Sequence, residues 1–326
     1  MNRVVCLLLI SIAGAAQQRP TFSSDVDLVM VDVQVTEKGT GKPVEFLNSG
    51  DFEIYDEGQL RPVRELHFES APVDFVFLLY GNGWSPVNDV NDFRRGLSEA
   101  VDELRAEDRA AVLRSESESK IDLPLTSDKQ AIRQALLGFK RNPTPHFGLR
   151  NPTRLYDALK ASAAIFAQPK DRSRRRVVVA ITPDVERNSK TTLDVMITAL
   201  LEADATLNAV VLVVQTSAST GGSGVRLPGG IGLHTNHPPA NASIRPAIEA
   251  TGGEAVPGDL FRERFPELIR RIRLRYLLGF YAEPATGRAF HRLEVELTPA
   301  ANSQYPNALV RARRGYYREP AGTADR

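Results

Sequence analysis

The chain has almost no cysteine and very little net charge. Cys6 is the only cysteine among 326 residues, so a disulfide bond within the chain is excluded and hydrophobic cores must hold the fold together. The 41 basic and 40 acidic residues leave a net charge of +1, which gives no general attraction to nucleic acid or to an anionic membrane. Hydrophobic residues make up 42% of the chain, an ordinary globular composition with room for two domains.

Residues 1–16 have the order of a secretory signal peptide. A positive charge at Arg3 precedes the apolar run from Val4 to Ile12, and small residues follow up to Ala16. The run is shorter than the roughly 20 apolar residues that span a bilayer. We therefore expect cleavage near Ala15 or Ala16, a mature chain without cysteine or membrane span, and a secreted or periplasmic location.

Both ends of the mature chain have the pattern of antiparallel strands. Four valines at positions 29, 31, 33 and 35 alternate with polar residues that include Asp32 and Gln34, which predicts a half-buried strand with those two on its polar face. Leu293, Val295 and Leu297 alternate with charged residues in the same way. We interpret residues 17–71 and 273–318 as two parts of one β-sandwich, followed by a tail at 319–326.

The middle of the chain, residues 72–272, has a different rhythm. Short apolar runs alternate with stretches of helical period, which predicts a doubly wound, mainly parallel sheet with helices on both faces; the runs are Phe75–Leu79, Ala110–Leu113, Val177–Ile181 and Val210–Val214. Ser127 and Gln130 form a predicted capping box before one helix. The basic run from Arg172 to Arg176 is interpreted as a solvated start of a strand. Residues 216–243 lack periodicity and are predicted to be a mobile flap or disordered.

The segment from Pro72 to Pro86 indicates where a functional site lies, because its buried strand ends abruptly in a turn. It resembles the first strand and metal loop of von Willebrand factor type A domains, and Asn151–Asp157 and Ile181–Asp184 resemble the family's two other metal loops. The ends of the chain are similar to a secreted bacterial subfamily, in Val31–Val35, Gly50–Ile54, Leu278–Tyr281 and Arg311–Tyr317. The resemblance implies an adhesion or interaction module of α/β fold.

The resemblance also implies metal-ligand positions, and this chain departs from most of them. In the first loop Tyr80, Asn82 and Trp84 replace the family's Asp, Ser and Ser, and Ser85 is one step out of register. Thr153 matches the threonine ligand of the second loop. In the third loop Pro183 stands at the aspartate position and Asp184 at the glycine. Magnesium needs several oxygen donors, so we expect no bound metal or other cofactor.

Catalytic patterns are absent from the sequence. The run from Gly83 to Pro86 is not a nucleophile elbow, no glycine-rich phosphate loop joins a strand to a helix, and His234 and His237 lie in the glycine- and proline-rich segment. We therefore expect a non-catalytic binding module whose partner is an unknown protein or an envelope component, contacted through Tyr80, Asn82, Trp84, Ser85, Thr153 and Asp184. The alternatives are a structural envelope component with the α/β domain as a spacer and, third, a hydrolase.

Overall fold

The computed structural model describes nine parts of the chain: residues 28–80, 90–115, 118–138, 154–166, 173–184, 186, 188–212, 243–283 and 289–318. The strands in chain order are β1 (Leu28–Glu37), β2 (Phe52–Asp56), β3 (Gln59–Arg61), β4 (Glu65–Phe68), β5 (Val73–Tyr80), β6 (Arg109–Ser115), β7 (Ser119–Thr126), β8 (Arg175–Thr182), β9 (Ala205–Val211), β10 (Ala255–Pro257), β11 (Tyr276–Tyr281), β12 (Ala289–Leu297), β13 (Ala308–Arg311) and β14 (Gly315–Arg318). The helices are α1 (Val90–Asp102), α2 (Lys129–Leu137), α3 (Leu155–Ala164), α4 (Leu193–Glu202), α5 (Arg245–Thr251), α6 (Phe261–Arg273) and α7 (Pro299–Gln304).

The middle of the chain forms a six-stranded sheet in the order β10-β9-β8-β5-β6-β7. All neighbouring pairs are parallel except β6 and β7, which form an antiparallel pair and are the last two strands in this order. Alternate residues of β5 enter two separate cores: Phe75 and Phe77 pack with α1, α2 and α6, whereas Val76 and Leu78 pack with α3, α4 and α5. Helices therefore cover both faces, as the sequence predicted.

The two ends of the chain form two antiparallel sheets that share one core. One has the order β13-β1-β11-β4 and the other β14-β12-β2-β3, so each sheet combines strands from both ends. The four alternating valines of β1 and Leu278 of β11 share this core with Ile54 and Val295 of the second sheet. The predicted fold class, an α/β unit inserted in a sandwich made by the terminal segments, is confirmed. The exact domain boundaries stay a prediction.

The polar face of β1 is not in water, contrary to the half-buried strand that the sequence predicted. Asp32 lies between two arginines. Arg175 belongs to the α/β unit, and Arg275 belongs to the segment that follows this unit. Arg175 Nη2 is 3.0 Å and Arg275 Nε is 2.8 Å from its carboxylate oxygens, and these arginine side chains are 2% and 1% exposed. Gln34, 1% exposed, donates to Glu254 at 3.0 Å. The α/β unit covers this face around Asp32 and Gln34, so this part of β1 is largely removed from water on both sides.

The described arginines of the basic run, Arg174 to Arg176, are paired and largely buried, and Arg175 reaches the sandwich, so the interpretation of a solvated start of a strand was wrong. Arg174 donates to Asp74 at 2.8 Å, Arg175 donates to Asp32 and to the carbonyl of Ile272, and Arg176 donates to the carbonyl of Ala203 at 3.0 Å. The physical reason is the position of the run. It lies at the amino-terminal ends of the parallel strands, where Asp74 and the carbonyl of Ala203 in the α/β unit and Asp32 of the sandwich all accept from it.

Gly252 allows a second close approach between the two units. It ends α5 in the left-handed conformation (φ 74°), and a Cβ atom there would lie 2.4 Å from the carbonyl carbon of Ala312. Arg275 donates to the Gly252 carbonyl at 2.7 Å, and the backbone N–H of Arg314 donates to the carbonyl of Ala250 at 2.9 Å. Glycine is required here because any side chain would push α5 away from the sandwich.

Candidate functional site

The carboxyl-terminal ends of four parallel strands, β5, β6, β8 and β9, lie together at the end of the sheet opposite the sandwich contact. We call this end of the sheet the carboxyl edge, and the opposite end the amino edge. Tyr80 at the end of β5 pairs with Ser115 of β6, and Leu79 pairs with Ile181 of β8. Thr182 of β8 pairs with Val211 of β9. Ligands of open parallel sheets bind beyond this edge, so it is the candidate site.

The six predicted site residues are distributed unevenly between the described and undescribed parts of the chain. Tyr80 is the last residue of β5, which puts its backbone at the edge, and its side chain is outside the description. Asn82, Trp84, Ser85 and Thr153 lie outside the described residues, as does the predicted flap apart from Ser243. Asp184 is described in full. Among the predicted site residues, only Asp184 has a described side chain, and its neighbours define the described part of the site.

Asp184 follows β8 and holds the start of α5. Its carboxylate accepts hydrogen bonds from the backbone N–H of Ile244 and the hydroxyl of Ser243, both at 2.7 Å. Its backbone is left-handed (φ 57°), a conformation that aspartate adopts more readily than most residues. Since Ile244, the residue before α5, has no capping side chain of its own, the Asp184 carboxylate serves as the cap from a distant loop.

Glu186 joins the loop after β8 to the start of α3. One of its carboxylate oxygens accepts from the backbone N–H of Tyr156 and from the hydroxyl of Ser189, both at 2.9 Å. Its other oxygen accepts from the backbone N–H of Ser189 at 2.9 Å. The side chain therefore fixes two loops against each other and leaves neither oxygen without a donor.

Asp157 in the first turn of α3 holds the same loop at a second place. Its oxygens accept from the backbone N–H groups of Thr191 at 2.8 Å and Lys190 at 3.1 Å. Burial alone would raise the pKa of Asp157, but hydrogen bonds from Thr191 and Lys190 hold it below the ordinary value. The group stays a carboxylate and supports the loop at neutral pH.

Tyr156 lies between these carboxylates. It is buried, and its hydroxyl reaches the carbonyl of Ser243 at 3.5 Å. Burial, followed by the negative charges of Glu186 and Asp184, raises the pKa of Tyr156 to about 12. The phenol is therefore neutral at physiological pH and has no basic or nucleophilic character there.

The hydrogen bonds of these carboxylates differ from the arrangement of a divalent cation site. Asp184, Glu186 and Asp157 direct their oxygens at N–H and O–H groups of the protein, and Pro183 at the family's aspartate position has no oxygen in its side chain. Within the described ranges, no three histidine, cysteine or acidic side chains are grouped so that they could hold an ion. In the described part of this edge, the carboxylate oxygens of Asp184, Glu186 and Asp157 are therefore used to fix loops, and the absence of a bound metal stays a prediction.

Sequence reasoning missed the roles of Glu186, Tyr156 and Ser243. The short spacing of Asp184 and Glu186 after a buried strand was a usable signal of a functional or structural role. Two acidic residues at such a place commonly bind a ligand or accept hydrogen bonds from backbone N–H groups. Ser243 carried no such signal, since it is 59 residues from the aspartate that it contacts.

The described fold is an α/β unit, with a six-stranded, mainly parallel sheet covered by helices on both faces, joined to an antiparallel sandwich. No family model and no curated protein matches the chain. Among solved structures it is similar to the conserved hypothetical protein BatB from Bacteroides thetaiotaomicron, with 16% identity over 61% of this chain and 98% of that one, at a TM-score of 0.41. It is also similar to a von Willebrand factor type A protein from Catenulispora acidiphila, with 11% identity over 90% and 75% of the two chains, at 0.44.

A third solved structure is the vWF domain of the type V pili tip protein Mfa5 from Porphyromonas gingivalis. Identity is 13% over 36% of this chain and 39% of that one, with a TM-score of 0.29. Within the described residues of the present chain, no helix is both long enough and apolar enough to cross a membrane.

Proposed function

We propose that the chain is a non-catalytic binding module that contacts a protein or an envelope component through the carboxyl edge of its parallel sheet, without a metal. The observation that carries this proposal is the use of the carboxylates at that edge. Asp184, Glu186 and Asp157 hold three loop segments in fixed positions. Loops that are ordered before binding lose less conformational entropy when a partner docks, which favours recognition by shape.

The chemistry at the edge supports binding more than catalysis. The hydroxyls of Ser189 and Ser243 donate to carboxylates, at 2.9 and 2.7 Å, and neither forms a described hydrogen bond with an imidazole. The histidines in the described part of the chain, His67 and His291, belong to β4 and β12 of the sandwich. A serine hydrolase would need a general base beside its hydroxyl, so a hydrolase remains the third interpretation.

We further propose a secreted or periplasmic location, supported by the signal-peptide order of residues 1–16. The partner would then be a protein or an envelope component of the same compartment. The near balance of 41 basic and 40 acidic residues supports a partner other than nucleic acid.

A pull-down with Trp84→Ala tests the proposed binding edge. If Trp84 anchors a partner, truncation should cost about 2 kcal/mol or more of binding with little loss of stability. If the ring is instead packed in the domain, truncation should lower stability by roughly 3 kcal/mol. Wild type and variant are compared for capture from envelope extract and for thermal melting, with Asp102→Ala as a surface control.

The two readouts separate the outcomes. Loss of a partner from Trp84→Ala, with capture retained by Asp102→Ala and unchanged melting, supports the binding edge. If Trp84→Ala has a lower melting temperature than wild type but still captures the same partner, Trp84 is not an anchor for that partner.

A structural envelope component, with the α/β unit as a spacer, is the second candidate. The ion pairs of Asp32 with Arg175 and Arg275 favour it, because a spacer needs a firm joint to the sandwich. In the same pull-down, this candidate predicts that capture is unchanged by Trp84→Ala and also by changes at Asp184.

A further inference from the structure

Basic side chains outnumber acidic ones in the contact between the sandwich and the α/β unit. Arg175 and Arg275 share the single carboxylate of Asp32, at 3.0 and 2.8 Å. Arg271 pairs with Glu254 at 3.1 Å. Three guanidinium groups therefore face two carboxylates, which leaves one positive charge without a partner of opposite sign. A buried charge that is not compensated costs several kcal/mol, so a counter-charge is expected at such a place.

Arg311 of β13 adds a further positive charge to this contact. It pairs in register with Gln34 of β1, and its Nη1 donates to the hydroxyl of Thr36 at 3.4 Å, so its side chain lies on the face of the sheet that the α/β unit covers. Burial lowers the pKa of Arg311, and the positive charges of Arg275 and Arg271 lower it further. No described carboxylate forms an ion pair with Arg311.

Three buried polar atoms in the same contact have no hydrogen-bond partner within the described structure. They are Arg275 Nη1, Asn208 Nδ2 and Gln34 Oε1, in residues that are 1%, 0% and 1% exposed. Glu254 connects two of these residues, because it accepts from Gln34 Nε2 and its backbone N–H donates to Asn208 Oδ1, both at 3.0 Å. Arg275 donates to the carbonyl of Gly252 in the same segment at 2.7 Å. Buried polar groups of native proteins are nearly always paired, so three unpaired ones in one contact indicate a ligand.

The unpaired groups specify the chemistry of that ligand. Arg275 and Asn208 offer N–H donors and Arg311 offers a guanidinium group, so the ligand carries negative charge and acceptor oxygens. Gln34 Oε1 accepts hydrogen bonds, so the ligand also carries a proton on one oxygen. Hydrogen phosphate has both features at neutral pH, whereas sulfate has no proton to donate. The deep burial of Gln34, Asn208 and Arg275 favours a small free ion over a larger phosphate ester.

We propose that the contact between the two units binds one inorganic phosphate ion, held by Arg311, Arg275 and Asn208. Gln34 Oε1 accepts from the protonated oxygen of the ion and selects phosphate over sulfate. The ion neutralises the excess of positive charge and strengthens the connection between the sandwich and the α/β unit. This site does not depend on the proposed role of the carboxyl edge.

Calorimetric titration with inorganic phosphate and with sulfate tests the proposal. The mature protein is first exchanged into a chloride buffer, and the ionic strength is kept constant. Wild type is compared with Arg311→Gln and with Arg314→Gln, a matched control because Arg314 is exposed and pairs with Glu249 on the surface. Asn208→Asp is the second test variant, since it keeps the acceptor for the backbone N–H of Glu254 and replaces the unpaired donor by a negative charge.

The proposal expects a saturable heat with one phosphate ion per chain. Affinity should fall about tenfold or more in Arg311→Gln and in Asn208→Asp and stay unchanged in Arg314→Gln. Sulfate should bind wild type at least about tenfold more weakly than phosphate, because it cannot donate to Gln34. Phosphate should also raise the melting temperature of wild type, since a ligand that binds only the folded chain stabilises it.

Three results overturn the proposal. The first is the absence of a saturable phosphate heat in wild type, and the second is sulfate that binds as tightly as phosphate. Both are measured on wild type, so they decide even where a variant fails to fold. The third is an unchanged phosphate affinity in Arg311→Gln or in Asn208→Asp.

Discussion

The two edges of the parallel sheet use the same residue types for different purposes. At the amino edge, Asp32 pairs with the guanidinium groups of Arg175 and Arg275, and so joins two units of the molecule. At the carboxyl edge, Asp184 and Glu186 accept hydrogen bonds from backbone N–H groups and hydroxyls, and so fix loops within one unit. An aspartate at a strand end therefore does not identify a binding site until its partners are known.

The difference also has an energetic side. Removing one member of a buried ion pair leaves the other charge without compensation, which costs several kcal/mol. Removing a carboxylate that caps a helix removes a hydrogen-bond acceptor but leaves no unpaired charge, which costs about 0.5–2 kcal/mol. The amino edge should thus be more sensitive to substitution than the carboxyl edge.

Asp32→Ala should show the largest effect. It leaves Arg175 and Arg275, 2% and 1% exposed, without their carboxylate, so we expect a loss of about 3 kcal/mol of unfolding free energy in urea denaturation. The matched control is Asp102→Ala, which breaks a pair with Arg133 in which the aspartate is 67% exposed. That variant should lose less than about 1 kcal/mol. Equal losses in the two variants would remove the distinction between a buried joint and an ordinary surface pair.

Asp184→Ala should have a smaller effect, about 1–2 kcal/mol, because it removes the acceptor for Ile244 N–H and for the Ser243 hydroxyl. Alanine also tolerates the left-handed backbone poorly. Asp184→Gly removes the same carboxylate without that strain, so its cost contains the loss of the cap and the greater freedom of glycine in the unfolded chain. Urea denaturation of both variants checks this, and a glycine variant as stable as wild type would show that Asp184 does not stabilise α5.

The smallest expected effect is a change in the acid dependence of stability. Burial alone would raise the pKa of Asp32, but Arg175 and Arg275 hold it below its reference value of 3.8. A carboxylate whose pKa is lower in the folded state contributes stability above the unfolded pKa and loses it as the pH falls through the folded pKa. We expect Asp32→Asn to lose stability less steeply than wild type below pH 3.8, as measured by urea denaturation at several pH values. Identical slopes would mean that Asp32 is not held ionised by the two arginines.

Much of the fold was predictable because its strongest signals are local. The apolar run from Phe75 to Leu79 is a buried parallel strand, and the alternating valines of β1 face a core as predicted. Helix α2 was predicted with Ser127 as its cap, whereas Asp128 accepts from the backbone N–H groups of Gln130 and Ala131. A one-residue error of this kind arises because both residue types are good caps.

What could not be predicted depends on contacts between distant parts of the chain. The polarity of Asp32 and Gln34 indicated solvent, since a sequence does not show that a second unit covers that face. Strand β7 was missed because Asp122 and Pro124 interrupt its apolar residues, and its pairing with β6 shifts register. That Asp184 belongs to a binding site stays a prediction, and its role as a cap could not be predicted because it required the position of Ser243 in space.

Calorimetric titration of the mature protein with magnesium and with manganese tests the central claim most directly, namely that the carboxyl edge works as a contact surface without a cation. The oxygens of Asp184 and Glu186 already accept hydrogen bonds from the protein. The account predicts no saturable heat from micromolar to millimolar metal. A stoichiometric heat that disappears in both Thr153→Ala and Asp184→Gly would contradict it.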